Sequence, residues 1–268
     1  MSTNLAVNGA AGRMGRQLLG AIAERDDAVL TGASDAPGQA SIGVDASVLS
    51  GGASTGVTVE DNLSTIVKTS DVVIDFTAPK VSLAVLEACV DTDTAVVIGT
   101  TGFDPEQLEQ LNSYAKRMPI MFAPNYSIGV TVTLDLLEKA ARALGDDYDV
   151  EIIEAHHRHK VDAPSGTAMK MGEVVADALG RDLATCAVYG RQGITGERDT
   201  QTIGFETIRA GDIIGEHTVL YAGNGERIEI THRATDRMTF ARGAVRAAVW
   251  LSKQPAGIYD MRNVLGLV

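Results

Sequence analysis

The chain has few cysteines, few aromatic residues and a deficit of positive charge. Only Cys89 and Cys186 occur among its 268 residues. This excludes a disulfide scaffold and a paired-cysteine zinc site, and it is typical of a cytoplasmic protein. The 23 Lys and Arg residues face 35 Asp and Glu residues, a formal net charge of −12. So acidic a chain repels phosphate backbones and anionic lipid surfaces, and we expect neither a nucleic-acid nor a membrane partner.

A long uninterrupted apolar segment is also missing. The N-terminus has no basic region ahead of an apolar stretch, so no secretory signal is predicted. The longest uncharged run, Met118 to Leu134, contains two prolines and a glycine, which oppose a membrane-spanning helix. Glycine, by contrast, is abundant at 28 residues, and 45% of the chain is apolar. These values indicate a folded globular protein with many tight turns, and the length suits two domains.

The order of apolar segments predicts the fold class. Val- and Ile-rich runs alternate with helical patterns from residue 4 to about 145, which is typical of βαβ units on a parallel sheet. This pattern gives strands at 5–7, 29–33, 72–74 and 95–98, a helix at 12–25, and a surface loop at 36–56. Beyond it we predict a mixed α/β region with a strand at 150–155, a helix at 166–179 and antiparallel strands between 202 and 233. A helix at 240–251 is expected to return to the first domain.

A glycine-rich turn directly follows the first strand. Its spacing, Gly9-x-x-Gly12-x-x-Gly15, is a variant of the dinucleotide-binding fingerprint, in which backbone N–H groups at a helix N-terminus approach a pyrophosphate. A purely structural turn is the alternative. Asp35 ends the next strand, twenty residues after Gly15, where a carboxylate would bind a ribose hydroxyl. The combination predicts a Rossmann-like dinucleotide-binding domain.

The residues after Asp35 bear on the choice of cofactor. A 2′-phosphate needs a nearby cation, and no Lys or Arg occurs between Asp35 and Lys68. NADH is therefore the preferred cofactor. Because Arg13 and Arg16 lie near the phosphate turn, NADPH stays possible.

Two polar loops follow later strands, at 99–102 (Gly-Thr-Thr-Gly) and at 123–127 (Ala-Pro-Asn-Tyr-Ser). An open parallel sheet binds its ligand at the carboxyl ends of its strands, so both loops are expected to face the nicotinamide. As ordinary βα turns they would need no functional explanation.

The segment 154–167 carries the strongest chemical signal. Three of the five histidines, together with Arg158 and Lys160, fall within five consecutive residues of an acidic chain. Ser165, Gly166 and Thr167 then open a helix, where hydroxyl and N–H groups can bind a carboxylate. Two adjacent anion-binding features suit a small dicarboxylate substrate, although a helix cap followed by a solvated loop is the simpler reading.

A metal site is the other alternative for this segment. His156, His157, His159 and Asp162 are possible ligands, but the cations at 158 and 160 would oppose a dication, so no metal is predicted. His217 and His232 lie in the alternating strand region and are expected to be structural.

Several motifs together resemble one known family. They are Glu151 to His156, Lys160, Asp162, Pro164 to Ala168, the Gly9–Gly15 turn, Ile74-Asp-Phe-Thr77, Gly99 to Gly102, Gly196-Glu-Arg198 and Arg209 to Ile213. Their sequence and order resemble the 4-hydroxy-tetrahydrodipicolinate (dihydrodipicolinate) reductase family over nearly the whole chain. The resemblance implies an NAD(P)H-dependent reductase that forms tetrahydrodipicolinate in the diaminopimelate route to lysine. It also implies a homotetramer, with a dinucleotide-binding domain at 1–127, to which 240–268 return, and a mixed α/β substrate-binding and tetramerisation domain at 128–239.

The resemblance also assigns residue roles. His156 resembles the family's proton donor or acceptor, and Lys160 its second proton donor. His157, Gly166 and Thr167 resemble its substrate contacts, with Ser165 and Arg237 as weaker members. The matching cofactor contacts are Gly9, Ala10, Ala11, Gly12, Arg13, Met14, Asp35, Gly99, Thr100, Thr101, Ala123, Pro124, Asn125 and Tyr126. Many family members have Arg after the acid at Asp35, whereas this chain has Ala36, and efficient use of NADPH is therefore in doubt.

The implied chemistry agrees with the residues. A cyclic conjugated imine with two carboxylates needs cations for binding, a hydride donor and a proton source. Hydride would reach ring carbon 4, and His156 or Lys160 would protonate carbon 3. Two other functions stay open from the sequence: a dehydrogenase for another small dicarboxylate, and a redox sensor that binds NADH without turnover.

Overall fold

The computed structural model describes residues 2–268. The strands are β1 Thr3–Asn8, β2 Ala28–Ser34, β3 Val59–Glu60, β4 Val72–Asp75, β5 Ala95–Ile98, β6 Pro119–Phe122, β7 Asp149–His156, β8 Ala187–Tyr189, β9 Ile203–Arg209, β10 Gly215–Ala222, β11 Arg227–Ala234 and β12 Gly257–Tyr259. The helices are α1 Arg13–Ala23, α2 Ala46–Leu49, α3 Leu63–Val67, α4 Pro79–Cys89, α5 Pro105–Ala115, α6 Ile128–Leu144, α7 Gly166–Leu179, α8 Leu183–Cys186, α9 Met238–Leu251 and α10 Met261–Leu265. A short 3-10 turn at Gly145–Asp147 follows α6.

The chain divides into two compact units. The first combines residues 2–128 with Met238–Val268, and the second is Gly129–Arg237. Of the helices in residues 2–268, none combines the length and the apolar character that crossing a bilayer requires.

The first unit is a parallel sheet in the order β12-β6-β5-β4-β1-β2-β3. Strand β4 and strand β5 are fully buried, as expected for apolar strands covered by helices on both faces. On one face, Leu18 and Ile22 of α1 join Val245 and Leu251 of α9 in the core. From β1, the strands β2 and β3 are added on one side of the sheet, and β4, β5, β6 and β12 on the other. Sheets of this kind bind ligands at the carboxyl ends of the strands where the order reverses, which here are β1 and β4.

The second unit is a five-stranded mixed sheet in the order β11-β10-β7-β9-β8. Helices α6 and α7 contribute Leu137, Met171 and Val175 to a core with Ile152 and Val219 of the sheet. On β7, Val150, Ile152, Glu154 and His156 share the core-facing side, because alternate residues of a strand point to the same face.

The Rossmann-like and mixed α/β fold classes are confirmed, and some details differ from expectation. Strand β9 was expected to pair antiparallel, but it runs parallel to β7 and β8. Residues 190–202 connect β8 to β9, and a connection of this length allows the crossover that parallel neighbours need. The region 36–56, predicted as a loop, contains the short helix α2. Edge strand β12 was not predicted, because its three residues are too few to show the alternation of a strand.

Candidate active site

The glycine turn between β1 and α1 has the shape required for close approach of a ligand. Gly9 adopts a φ of +74°, and its N–H donates to the Ser34 carbonyl at 2.8 Å. Gly12 caps α1 without a side-chain hydrogen bond, so the first-turn N–H groups receive no side-chain cap. A Cβ at Gly15 would lie 2.1 Å from the Gly9 carbonyl oxygen, so only glycine permits this packing of the helix on the turn.

Asp35 meets this turn directly. Its Oδ2 accepts a hydrogen bond from the Ala11 N–H at 2.9 Å, and its Oδ1 accepts from the Ala36 N–H at 2.8 Å. The carboxylate is thus fixed beside the glycine turn by two backbone N–H groups. Arg16 donates from Nε to the Ala11 carbonyl at 3.0 Å.

The two polar loops at the carboxyl ends of β5 and β6 contain both exposed and buried residues, and Thr101 and Pro124 are exposed. Thr100 is buried, and its hydroxyl accepts from the Thr77 N–H at 3.0 Å. Tyr126 is also buried and donates its hydroxyl to the Ile98 carbonyl at 2.8 Å. Both hydroxyl groups are therefore engaged within the fold.

A buried carboxylate, Asp75, joins the strand ends below these loops. It accepts hydrogen bonds from Asn8 at 2.6 Å, Thr77 at 2.8 Å, Thr100 at 3.3 Å and Ser82. Burial raises the pKa of Asp75, while the four donors favour its ionised form. The arrangement of the turn, Asp35 and the loop backbones fits a nicotinamide dinucleotide.

In the second unit, His156 ends strand β7 and faces the core side of the sheet. Its Nδ1 lies 2.6 Å from Oε2 of Glu154, two residues earlier on the same side. Burial lowers the pKa of His156, Glu154 opposes this shift, and the charges of Lys160 and Arg209 add to it. Because the Glu154 carboxylate is an acceptor when ionised, Nδ1 carries a proton and Nε2 is the nitrogen able to exchange one.

Lys160 lies in the loop that follows. Its Nζ bonds both carboxylate oxygens of Asp162 at 2.8 Å. His157 is half-buried, and Arg237 Nη2 lies 3.4 Å from its Nε2. Arg158 and His159 are exposed. Lys160 is thus close enough to His156 to act on it by charge, and Arg237 contacts His157.

Ser165 caps helix α7. Its Oγ accepts from the Ala168 N–H at 3.1 Å and pairs with Nε2 of His217 at 2.8 Å. A Cβ at Gly166 would meet nothing within 4 Å, so the helix end is open. The arrangement can bind a carboxylate at the helix N-terminus beside a histidine and a lysine.

Sequence reasoning gave no role to Glu154 or Arg209, and it treated His217 as structural. A charged residue on the core-facing side of β7, in line with Val150 and Ile152, was the available signal for Glu154. Burial and the neighbouring His156 lower the pKa of His217 to about 4, so it is neutral at pH 7. Across residues 2–268, no group of three or more His, Cys, Asp or Glu side chains is arranged to hold a metal ion.

Comparison with known protein families shows which family the chain belongs to. Models described as the N-terminus and the C-terminus of dihydrodipicolinate reductase match residues 3–126 and 129–265. The chain belongs to the dihydrodipicolinate reductase family. The resemblance seen in its motifs is confirmed, and reductases of this family use a nicotinamide dinucleotide.

Relatives of the chain within the dihydrodipicolinate reductase family match it end to end. The 4-hydroxy-tetrahydrodipicolinate reductase of Alkalilimnicola ehrlichii is 62% identical and covers 100% of both chains. That of Hahella chejuensis is 56% identical over 99% of both. A dipicolinate-bound dihydrodipicolinate reductase from Paenisporosarcina sp. TG-14 is 27% identical, with a TM-score of 0.78 over 97% of this chain and 98% of its own. An amine dehydrogenase from Mycobacterium smegmatis, 15% identical with a TM-score of 0.58, shares the fold alone.

Proposed function

We propose that the protein reduces 4-hydroxy-tetrahydrodipicolinate to tetrahydrodipicolinate with a reduced nicotinamide dinucleotide, in the diaminopimelate route to lysine. The observation that carries the proposal is the arrangement at the end of β7. There, Glu154 joins His156 to the backbone N–H of Ser165, the N-cap of α7, and the charge of Lys160 acts on the same histidine. Full-length relatives with this activity, and a relative with dipicolinate bound, support the same substrate class.

The residues divide the work of the reaction. The N–H groups at Gly166 and Thr167, with the cations of the segment, bind the two carboxylates and orient the ring. A nicotinamide dinucleotide held at the Gly9–Met14 turn and Asp35 would supply the hydride for ring carbon 4, once water has left the 4-position. The resulting enamine anion takes a proton at carbon 3 from His156 or Lys160, which restores the C=N bond.

We propose NADH as the preferred cofactor, with NADPH as a second substrate. Asp35 is fixed beside the turn and places negative charge where a 2′-phosphate would lie. Ala36 brings no cation, and Arg16 bonds the Ala11 carbonyl through Nε. We assign the cofactor contacts to the Gly9–Met14 turn, Asp35 and the loops at 99–101 and 123–126.

The second unit has one sheet face that its own helices leave uncovered, and we propose that it forms a homotetramer. Ile153 and Ile208 are 37% and 48% exposed on this face, and Leu220 and Thr218 of β10 lie on it as well. Apolar residues in this position are typical of a subunit contact. Sedimentation analysis should give four subunits, and a monomer at working concentration would contradict this assembly.

We also propose a cytoplasmic location. Cys89 and Cys186 are both free thiols, as is usual in a reducing compartment.

A coupled assay tests the activity. The substrate is generated in situ, and NADH oxidation is followed by the loss of absorbance together with identification of the product. We expect turnover that pyridine-2,6-dicarboxylate inhibits competitively, because its six-membered ring carries two carboxylates at the same positions as in the substrate. Binding of NADH without turnover would favour a redox sensor, and a different product would favour another dicarboxylate dehydrogenase.

A further inference from the structure

Glu154 is the most deeply buried charged residue of the segment 154–167. Its side chain is 1% exposed, and it lies on central strand β7, between Thr207 of β9 and His217 of β10 in register. An ionised carboxylate in such a place is costly unless each oxygen accepts hydrogen bonds. The hydrogen bonds of the Glu154 carboxylate therefore identify the groups whose positions it fixes.

Both Glu154 oxygens bind groups from three parts of the chain. Oε2 contacts His156 Nδ1 at 2.6 Å and Arg209 Nη1 at 2.8 Å. Oε1 accepts from Arg209 Nη2 at 2.8 Å and from the Ser165 N–H at 3.0 Å. One carboxylate thus fixes the histidine ring and the cap of α7.

Arg209 also contacts the loop between His156 and Ser165. Besides its forked pair with Glu154, its Nη2 donates to the Asp162 carbonyl at 2.6 Å. Asp162 in turn bonds Lys160. The Glu154–Arg209 pair therefore touches the segment at residues 156, 162 and 165.

We propose that Glu154 is a positioning residue of the reductase site: it holds His156 with Nε2 as the proton-exchanging nitrogen, and Arg209 sets how much of its negative charge the ring experiences. The proposal rests on the proposed function in taking His156 as a proton-transfer group. Its geometric support is the arrangement at Nε2, where a Cβ at residue 215 would lie 3.0 Å away and glycine is present instead.

The sign of the change in the pKa of His156 distinguishes an effect of the Glu154 and Arg209 charges from an effect of their packing. The charged or titratable groups that face His156 are Glu154 on its own strand, Lys160 in the loop, Arg209 of β9 and His217 of β10. The Glu154 carboxylate favours the protonated ring, and the Arg209 guanidinium opposes it. Removing each charge should therefore move the pKa of His156 in opposite directions.

The test compares Glu154→Gln with Arg209→Gln. The pKa of His156 is measured by nitrogen NMR of histidine-labelled protein, which has five histidines, with His156→Gln to assign the signal. We expect Glu154→Gln to lower the pKa by about one unit and Arg209→Gln to raise it by a similar amount. Shifts in the same direction, or none, would overturn the proposal.

Kinetics supply the second measurement. Glu154→Gln should lower kcat by about tenfold or more, with the Kd for NADH unchanged, because the dinucleotide turn lies in the other unit. Its kcat/KM should also fall at a lower pH than in wild type, since a donor with a lower pKa loses its proton earlier. Glu24→Gln is the matched control: it breaks another forked arginine pair, with Arg242, and should leave kcat unchanged.

Two outcomes remain separable. If Glu154→Gln does not fold, Arg209→Gln alone decides, because a pKa of His156 that stays equal or falls in that variant contradicts the proposal. If wild type fails to reduce the substrate while the opposite pKa shifts are observed, the proposed function is wrong and the control of the ring by Glu154 stands.

Discussion

Replacing Gly15 with alanine should abolish tight NADH binding without a charge or a polar group being removed. Gly15 lies in α1, where the helix packs on the turn that precedes it. An added Cβ would lie 2.1 Å from the Gly9 carbonyl oxygen and 2.6 Å from that of Ala10. Ordinary van der Waals contact begins at about 3.4 Å. Both contacts are to backbone, so the turn itself must move.

The magnitude follows from that displacement. Overpacking usually costs about 1–3 kcal/mol, and a backbone clash this severe belongs at the upper end of the range. If this free energy is lost from NADH binding at the displaced turn, about 3 kcal/mol corresponds to an increase of about a hundredfold in the Kd for NADH.

The same helix provides a matched control in Gly20. A Cβ there would lie 3.6 Å from the flexible end of Met238, which is ordinary contact. Gly20→Ala should raise stability by about 0.5–1 kcal/mol, the usual gain at an interior helix position, with unchanged NADH binding. Fluorescence titration with NADH and thermal melts measure both variants. A Kd for Gly15→Ala within about threefold of wild type would refute the assigned role of the turn.

Three further predictions concern charge and capping. Lys160→Ala should lower kcat and raise KM, whereas His156→Gln should mainly lower kcat, each by about a hundredfold or more, with unchanged NADH binding. Steady-state kinetics test this, and a variant that keeps more than about a third of kcat/KM would show that its residue transfers no proton. Ala36→Arg should raise kcat/KM for NADPH about tenfold through one charge-assisted contact, and a wild type that already prefers NADPH by tenfold would contradict the reasoning. Ser165→Ala should cost about 1–3 kcal/mol in denaturant unfolding, because the Ala168 N–H and His217 Nε2 lose their partner; a change below about 0.5 kcal/mol would show that water replaces the hydroxyl.

The sequence predicted those features of the fold that depend on neighbouring residues. Strand β4 and strand β5 are continuous apolar runs, and Ser165 stands directly before a helical period, so each was visible in a short window. The direction of β9 was missed because it depends on a crossover that alternation in the strand does not record. Edge strand β12 has only three residues, too few for a period.

For the site, as for the fold, only features formed by nearby residues were predictable from the sequence. The concentration of cations at 156–160 and the glycine turn both lie within a few residues and were found. The pairing of Glu154 with Arg209 spans 55 residues, and that of Asp75 with Asn8 spans 67. Such buried carboxylates acquire their partners only when strands assemble, and a single sequence does not show which strands are adjacent.

A crystal structure of the protein with NADH and pyridine-2,6-dicarboxylate would show directly whether the segment 154–167 binds the substrate. We expect the pyrophosphate at the N–H groups of the Gly9–Gly15 turn and a ribose hydroxyl on Asp35. We also expect one carboxylate of the inhibitor at the N-terminus of α7, at Gly166 and Thr167, with Lys160 released from Asp162 to meet it. A dicarboxylate bound away from Ser165–Thr167, with Lys160 still paired to Asp162, would contradict the assignment of this segment as the substrate site.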